Sequence, residues 1–284
     1  MSEYEKRGYL LENFRLFHLR SEQHAAVDFH YHEFCKLLLL LRGQGNYVVD
    51  GQRYQLQPGD VVLVDSRSIH RPEMESGIPY ERVIIYISPE FLKKESAADC
   101  DLSSLFRGEK GHVLRLKDPK KIFTAATALE KELSGQEYGR TILSNAMLLR
   151  LLVELCRSLR QTDIQNLRPQ EPKNPRVTQI MRYIDNNLAE DLDIDALAAQ
   201  FYVSKYHMMR QFQQQTGYTI HNYLSQRRLL HARDLISGGM RATEACYRSG
   251  FRSYSSFTRA YGKHFGTTPT GRTDTAQGRE ESYE

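Results

Sequence analysis

Two stretches near the C-terminus repeat one pattern, and that repeat constrains the fold of this chain more than any other feature. The first runs Asp193-Ile-Asp-Ala-Leu-Ala-Ala-Gln-Phe-Tyr-Val-Ser204 and continues through Arg210 and Phe212 to Thr216-Gly217. The second runs from Ala242 through Gly250-Phe251, Ser253, Phe257, Arg259 and Tyr261 to Phe265-Gly266. In each, a short helix leads into a tight turn, a Ser caps a second helix, and an Arg follows six residues after that Ser. A short helix braced behind a capped, exposed helix is the arrangement that sets side chains in a DNA major groove. The implied architecture is a tandem helix-turn-helix on a shared connector, and the implied partner is double-stranded DNA.

Helical spacing assigns faces within each unit. Met208 and Phe212 point to the core of the first, leaving Tyr206, Met209, Arg210 and Gln213 outward. Phe257 and Tyr261 do the same in the second, leaving Tyr254, Ser255, Thr258 and Arg259 outward. The candidate base readers are therefore Tyr206, Met209, Arg210, Tyr254, Ser255 and Arg259, and the candidate phosphate contacts are Ser204, Lys205, Ser253 and Lys263. Tyr206 and Met209 cannot fork two hydrogen bonds to a base edge, which leaves Arg210 as the main specific contact of its helix. Net charge over the 284 residues is only +4, too small to argue from. Between Ala196 and Arg272, however, eleven Lys or Arg face two acids, Asp234 and Glu244, a local excess that attracts a phosphate backbone.

The N-terminal third reads differently. Phe34 to Leu41, Asn46 to Val49, Tyr54 to Leu56, Val61 to Val64 and Tyr80 to Ile87 alternate like strands, with an Asp50-Gly51 hairpin and a Pro58-Gly59-Asp60 turn between them. Many short strands joined by such turns imply a small antiparallel barrel or sandwich. Helical spacing then takes over from 118 to 160. Thr141 to Leu159 is apolar almost all round, so the pattern predicts a helix covered on two sides, one by its own β domain and the other either by the 118–134 helix of the same chain or by a second copy of the chain, with Leu143, Met147 and Leu151 as the candidate dimer contacts. Leu167-Arg-Pro-Gln-Glu-Pro-Lys-Asn-Pro175 carries three prolines and no apolar period, the composition of a linker. The expected division is 1–117 as a sensing β domain, 118–165 as a dimerising helical pair, 166–175 as linker, 176–273 as the DNA-reading domain and 274–284 as a polar tail.

These residues resemble a known family. The region after Pro175 looks like the AraC-type double helix-turn-helix domain, and Gly250-Phe251, Ser256-Phe257, Arg259, Phe265-Gly266 and Pro269 match its most characteristic signature. His30-x-His32-Glu33, Gly43-x-Gly45, Asp50-Gly51, Pro58-Gly59-Asp60 and His70 resemble the cupin sensor that often precedes it. The resemblance implies a two-domain β plus α fold, an N-terminal cupin-like β-barrel with a helical pair and a C-terminal all-α double helix-turn-helix. It also implies a ligand-responsive regulator, often an activator in this family, with a small-molecule effector, sugars among the candidates, a homodimeric state and RNA polymerase as a further partner. The second unit departs from the family in having Ala242, Ala245 and Ser249 where larger aliphatics are usual, Gly262 where Lys is common, and Pro269-Thr-Gly-Arg272 where Tyr-Arg follows the Pro. A lighter core and weaker base reading are expected there.

Many cupins hold a metal, so the alternative is a metal-dependent cupin enzyme fused to a DNA-binding domain. The usual carboxylate four or five residues after His-x-His is missing, those positions being Lys36 and Leu37, and a cation beside two imidazoles opposes metal binding. The expectation is therefore no metal and no cofactor. Alternation places His30, His32 and Lys36 on one face, and the resemblance brings His70 near them, giving a polar ligand site of His30, His32, Lys36 and His70. No nucleophile constellation or phosphate-binding Gly-rich loop is evident, which argues against an enzyme. Cys35, Cys100, Cys156 and Cys246 are scattered without a Cys-x-x-Cys pair, and three lie in apolar segments, as reduced core residues would. The longest apolar run, Leu37 to Leu41, is far below the roughly 20 residues that span a bilayer, and the charged start lacks an export signal, so the expected location is the cytoplasm.

Overall fold

Cys35-Lys-Leu-Leu-Leu-Leu-Leu-Arg42 forms a strand buried along nearly its whole length, and the layers of the N-terminal unit are arranged around it. The structure is a computed structural model that describes residues 10, 12–22, 27–66, 68–108, 111–160, 164–167 and 175–270. It divides into two units, Met1–Pro175 and Arg176–Glu284. Most of the Pro-rich stretch (168–174) and the 274–284 tail lie outside the described residues.

The first unit contains strands β1 (Phe14–Ser21), β2 (Cys35–Arg42), β3 (Gly45–Val49), β4 (Gln52–Leu56), β5 (Asp60–Val64), β6 (His70–Met74), β7 (Tyr80–Ile87), β8 (Val113–Leu116) and β9 (Ile164–Asn166). They form a six-stranded sheet, β1-β7-β2-β5-β8-β9, and a three-stranded sheet, β4-β3-β6, with antiparallel pairing throughout. The expected barrel is thus corrected: two separate sheets face each other and neither closes. The chain changes sheet at Gly43-Gln-Gly45, where Gly43 takes φ 127°, a region essentially reserved for glycine. A Cβ on Gly45 would lie 2.5 Å from the Glu73 carbonyl oxygen, so the absence of a side chain lets β3 and β6 approach. The Asp50-Gly51 hairpin forms as read, with φ of 46° and 76° fitting the tight turn that matches strand twist.

Alternation along β2 divides the apolar residues between two cores. Cys35, Leu37 and Leu39 pack toward helices α1 (Pro89–Glu95), α2 (Lys120–Ser134) and α3 (Arg140–Arg160), through Phe91, Leu92, Ile122, Leu129, Leu148 and Leu152. Leu38 and Leu40 point between the sheets, toward Phe17, Tyr47, Tyr54, Ile84 and Tyr86. The expectation of a second covered side on α3 meets a correction here. Leu151 is fully buried in the chain's own core, Met147 is half-buried against it, and Leu143 is 49% exposed beside Ile142 at 78%. Leu151 stands one helical turn from Leu148 and Leu155, which fixes it on the sheet-facing stripe and removes it from any outer surface.

The second unit is helical: α4 (Pro175–Asn186), α5 (Ile194–Gln200), α6 (Lys205–Thr216), α7 (Ile220–Ser237), α8 (Ala242–Arg248) and α9 (Tyr254–Phe265). Val177, Ile180, Met181 and Ile184 form the buried stripe of α4. Tyr223 and Arg227 of α7 both bond the Asp185 carboxylate, and Arg228 donates to the carbonyls of Leu188 and Glu190, clamping the long connector to α4 and the turn after it.

Candidate DNA-reading surface and effector site

The four capping residues fix where the reading helices start. Asp193 accepts from Ala196 N to open α5, Thr219 from Asn222 N to open α7, and Ser204 and Ser253 accept from His207 N and Ser256 N to open α6 and α9. Gly217 and Gly266, both left-handed, end α6 and α9. Met208 and Phe212 are buried on α6 and Phe257 and Tyr261 on α9, so each helix turns a polar face to solvent. Ala245 and Ser249 of the second unit are fully enclosed, and the Ser249 hydroxyl donates to the Cys246 carbonyl, so this small core is closed.

Arg210, Arg259 and Lys263 are exposed and make no ion pair with any described residue. Their neighbours differ. Lys205 pairs with Asp195 at 2.7 Å, a partner that raises its pKa, while Arg252 pairs with Asp191 and Arg248 with Glu244. Arg227 and Arg228 hold the connector. Much of the cationic excess therefore serves internal contacts, which leaves the Arg210 and Arg259 guanidinium groups as exposed donors on α6 and α9.

Three of the expected outward residues lie closer to the protein. Tyr254 is half-buried, its ring 5.9 Å from that of Phe257, Met209 is half-buried, and half-buried Thr258 donates its hydroxyl to the Tyr254 carbonyl. Tyr206 at 85% exposure and Ser255 face solvent, the Ser255 hydroxyl 3.0 Å from that of Ser253. The exposed faces also contain His207, Gln214 and Ser256, which the sequence reading missed. Helical spacing could have found them, because each stands one turn from an outward residue already named.

Inside the first unit, His30, His32, Lys36 and His70 come together, though not by the expected route. Residues 27–33 are not a regular strand. His30 makes an isolated bridge to His70, with His30 N donating to His70 O at 3.1 Å and His70 N to His30 O at 2.9 Å. The His30 and His70 ring centroids are 4.3 Å apart and those of His32 and His70 4.7 Å. Each imidazole donates from Nδ1 to a backbone carbonyl: His30 to Asp28, His32 to Phe34 and His70 to Ser68. Lys36 is buried, with its ammonium 5.7 Å from the centre of the Tyr47 ring.

Burial first, and the Lys36 charge second, push the pKa values of His32 and His70 well below the usual histidine range. Both rings are therefore neutral near pH 7. Aromatic walls enclose them: Phe34, which period-two alternation already sends inward with Lys36, stacks on His32 at 4.0 Å, and Tyr47, which the sequence reading did not name, lies parallel to His70 at 6.0 Å. The inward alternation of β3 and β7 carried the signal for Tyr47 and Tyr86. Among the described residues no group of three or more His, Cys, Asp or Glu side chains is placed to hold a metal ion.

A tandem of capped reading helices joined to a β unit with a buried polar cluster defines a class, the ligand-responsive DNA-binding regulators. Comparison with known proteins narrows it. The AraC-like ligand binding domain model matches residues 13–201 and a helix-turn-helix domain model matches 197–272. The chain belongs to the AraC family of transcriptional regulators. It is 27% identical over 253 residues to the HTH-type transcriptional activator RhaS of Escherichia coli O139:H28, covering 88% of each chain, and equally to RhaS of Shigella sonnei. Among solved structures, fatty-acid-bound ToxT of Vibrio cholerae is 14% identical with a TM-score of 0.39, over 92% of this chain and 95% of that one.

Proposed function

We propose that the protein is a homodimeric, effector-gated regulator in which Arg210 and Arg259 read base edges in successive major grooves, about 10 base pairs apart. Tyr206, Ser255 and the flanks of Met209 and Tyr254 shape those contacts. Ser204, Ser253, Lys205 and Lys263 meet phosphates, Lys205 after release from Asp195. One observation carries the reading: the Arg six residues after each capping Ser is exposed and free of ion pairs, while the cations around it are engaged within the fold. Selection of bound fragments from random DNA, repeated with Arg210→Ala, tests it. An unchanged motif and affinity would remove the first helix as a reader.

The effector site in this reading is His30, His32, Lys36 and His70 in residues 1–117, the dimer surface lies on the 118–165 helical pair, and residues 176–273 bind DNA. Exposed Ile142 and Leu143 in the first turn of α3 support a subunit contact there, since solvated apolar side chains gain by association. The name of the RhaS relatives supports activation, with RNA polymerase as the partner it requires. No helix among the described residues is long and apolar enough to cross a membrane, which suits a cytoplasmic protein. We read the β unit as a sensor and not as a metal-dependent enzyme, because the Lys36 ammonium occupies the ground where an anionic ligand group would be needed.

A further inference from the structure

We infer that Cys100 and Cys156 form a two-thiol oxidation site, which a small hydroperoxide converts to an intramolecular disulfide near the end of α3. The site lies apart from the DNA-reading and effector residues and stands whether or not those readings hold. The two cysteines are distant in sequence and meet through two fixed elements. Cys100 ends a tight turn held by paired backbone bonds, Ala97 N to Cys100 O and Cys100 N to Ala97 O, each 3.0 Å. Arg160, one helical turn beyond Cys156 on the same face of α3, donates to the Asp99 carbonyl at 3.3 Å. That bond sets the last turn of α3 beside the turn that carries Cys100. Both thiols then line one cavity of about 120 Å³, together with Asp101, Ser104 and Arg160.

Exposure and charge separate this pair from the other cysteines. Cys35 and Cys246 are buried, whereas Cys100 and Cys156 are half-buried and border a space that a small solute can enter. A water molecule takes up about 30 Å³ of the liquid, so the cavity has room for hydrogen peroxide and none for a peptide disulfide such as oxidised glutathione. Burial first, and then the charge of a facing Cys100 thiolate, push the Cys156 thiol up to about 12. At neutral pH Cys156 is therefore the protonated partner, and the attacking thiolate is that of Cys100. Its sulfur attacks one peroxide oxygen: an S–O bond forms, the O–O bond breaks, and the hydroxide released takes up the proton that Cys100 gave up. Oxidation removes the Cys100 charge, which lifts the second cause that keeps Cys156 protonated, and Arg160 favours the Cys156 thiolate. Asp101 opposes that thiolate, but its carboxylate is paired with Arg107 at 2.8 Å. The Cys156 sulfur then attacks that of Cys100: the S–S bond forms, the S–O bond breaks, and the departing hydroxide leaves as water with the Cys156 proton. Two thiols lose two electrons between them, and one peroxide becomes two waters.

The test is peptide mapping by mass spectrometry of reduced full-length protein after brief treatment with dilute hydrogen peroxide. The expected product is a Cys100–Cys156 linked peptide within one chain, with Cys35 and Cys246 still open to alkylation once the protein is unfolded. Cys156→Ser should leave Cys100 as a sulfenic acid that dimedone captures. Cys100→Ser should slow oxidation of Cys156 about tenfold or more, because the protonated thiol is a poor nucleophile. The inference is overturned if the linked peptide is absent, if Cys35 or Cys246 is oxidised as fast, or if the link joins two chains. It is also overturned if oxidised glutathione forms the link faster than peroxide does, or if protein unfolded in guanidinium pairs these two cysteines as readily. The wild-type map decides even where a serine variant fails to fold, because it needs no substitution.

Discussion

Gly250 is held at φ 90° in the turn between α8 and α9, and a Cβ there would collide with the Leu188 carbonyl oxygen that accepts from Arg228. Gly250→Ala combines left-handed strain of about 1–2 kcal/mol with overpacking of about 1–3 kcal/mol, so the helical unit should lose about 2–5 kcal/mol of stability, read as a lowered urea midpoint. At the reading face, Arg210→Ala should cost about 1–3 kcal/mol on the cognate site and relax one base position. Lys263→Ala should weaken all sequences alike and lower the salt slope by about one, as binding measured over a salt series would show. The buried histidines give a pH dependence with a definite sign. Their folded pKa values lie below the ordinary 6.5, so the unfolded chain binds protons first as pH falls. Above pH 6.5 their contribution is fully present, and below it stability should decline by up to about 1.4 kcal/mol per pH unit for each ring until the folded values are reached. The charged groups facing them are Lys36 and, when protonated, His30. Unfolding of the β unit followed by circular dichroism from pH 7 to pH 5 checks this, and His32→Phe should flatten the slope.

Among the elements, α3 separates two kinds of leucine that its sequence makes look alike. Leu143→Glu places a charge on a face already in water and should leave a folded protein, with the dimer split if α3 forms its interface. Leu151→Glu buries an unpaired charge between sheet and helix and should unfold the β unit, a loss of more than about 3 kcal/mol. Light scattering reads the first outcome and far-ultraviolet circular dichroism the second. A Leu143→Glu protein that keeps the wild-type mass would move the subunit contact off this helix. A similar distinction holds in α9, where Tyr254 leans on Phe257 and Ser255 stays in water. In the proposed reading Tyr254 links base contact to packing, and its replacement should lower both.

At the scale of the whole molecule, sensing and reading are assigned to different units, with the division at Pro175 and Arg176. A ligand can shift DNA affinity only by its differential affinity for the states it couples, typically about 1–3 kcal/mol. Lys36→Ala should abolish the effector response and leave ligand-free operator binding near the wild-type value, because the substituted side chain lies wholly in the β unit. An operator titration over a panel of small-molecule effectors, run on the wild type and the variant, measures both quantities. An unaltered response would move the effector site away from Lys36.

The sequence by itself determined the features written in local chemistry. Ser204, Ser253 and Asp193 were legible as caps, Asp50-Gly51 as a hairpin and Val177-Ile180-Met181-Ile184 as a buried stripe, because each follows from a few neighbouring residues and one backbone geometry. Strand β6 was not legible, since His70-Arg-Pro-Glu-Met does not alternate and contains Pro72. It survives as an edge strand whose one ladder is with β3, beside the isolated His30–His70 bridge, where a missing N–H can be tolerated. Nor could alternation decide between a closed barrel and two sheets, because period two fixes which face a residue takes and not which strand lies beside it. Likewise the apolar run of α3 reported how much surface could be buried, while the side it buries was settled by the sheet it packs on. The four polar residues of the candidate effector site were named from the sequence. That His32 and His70 carry the ring proton on Nδ1 became visible only once the carbonyls of Phe34 and Ser68 had been folded against them, since hydrogen-bond polarity in a buried site belongs to the surroundings and not to the residue.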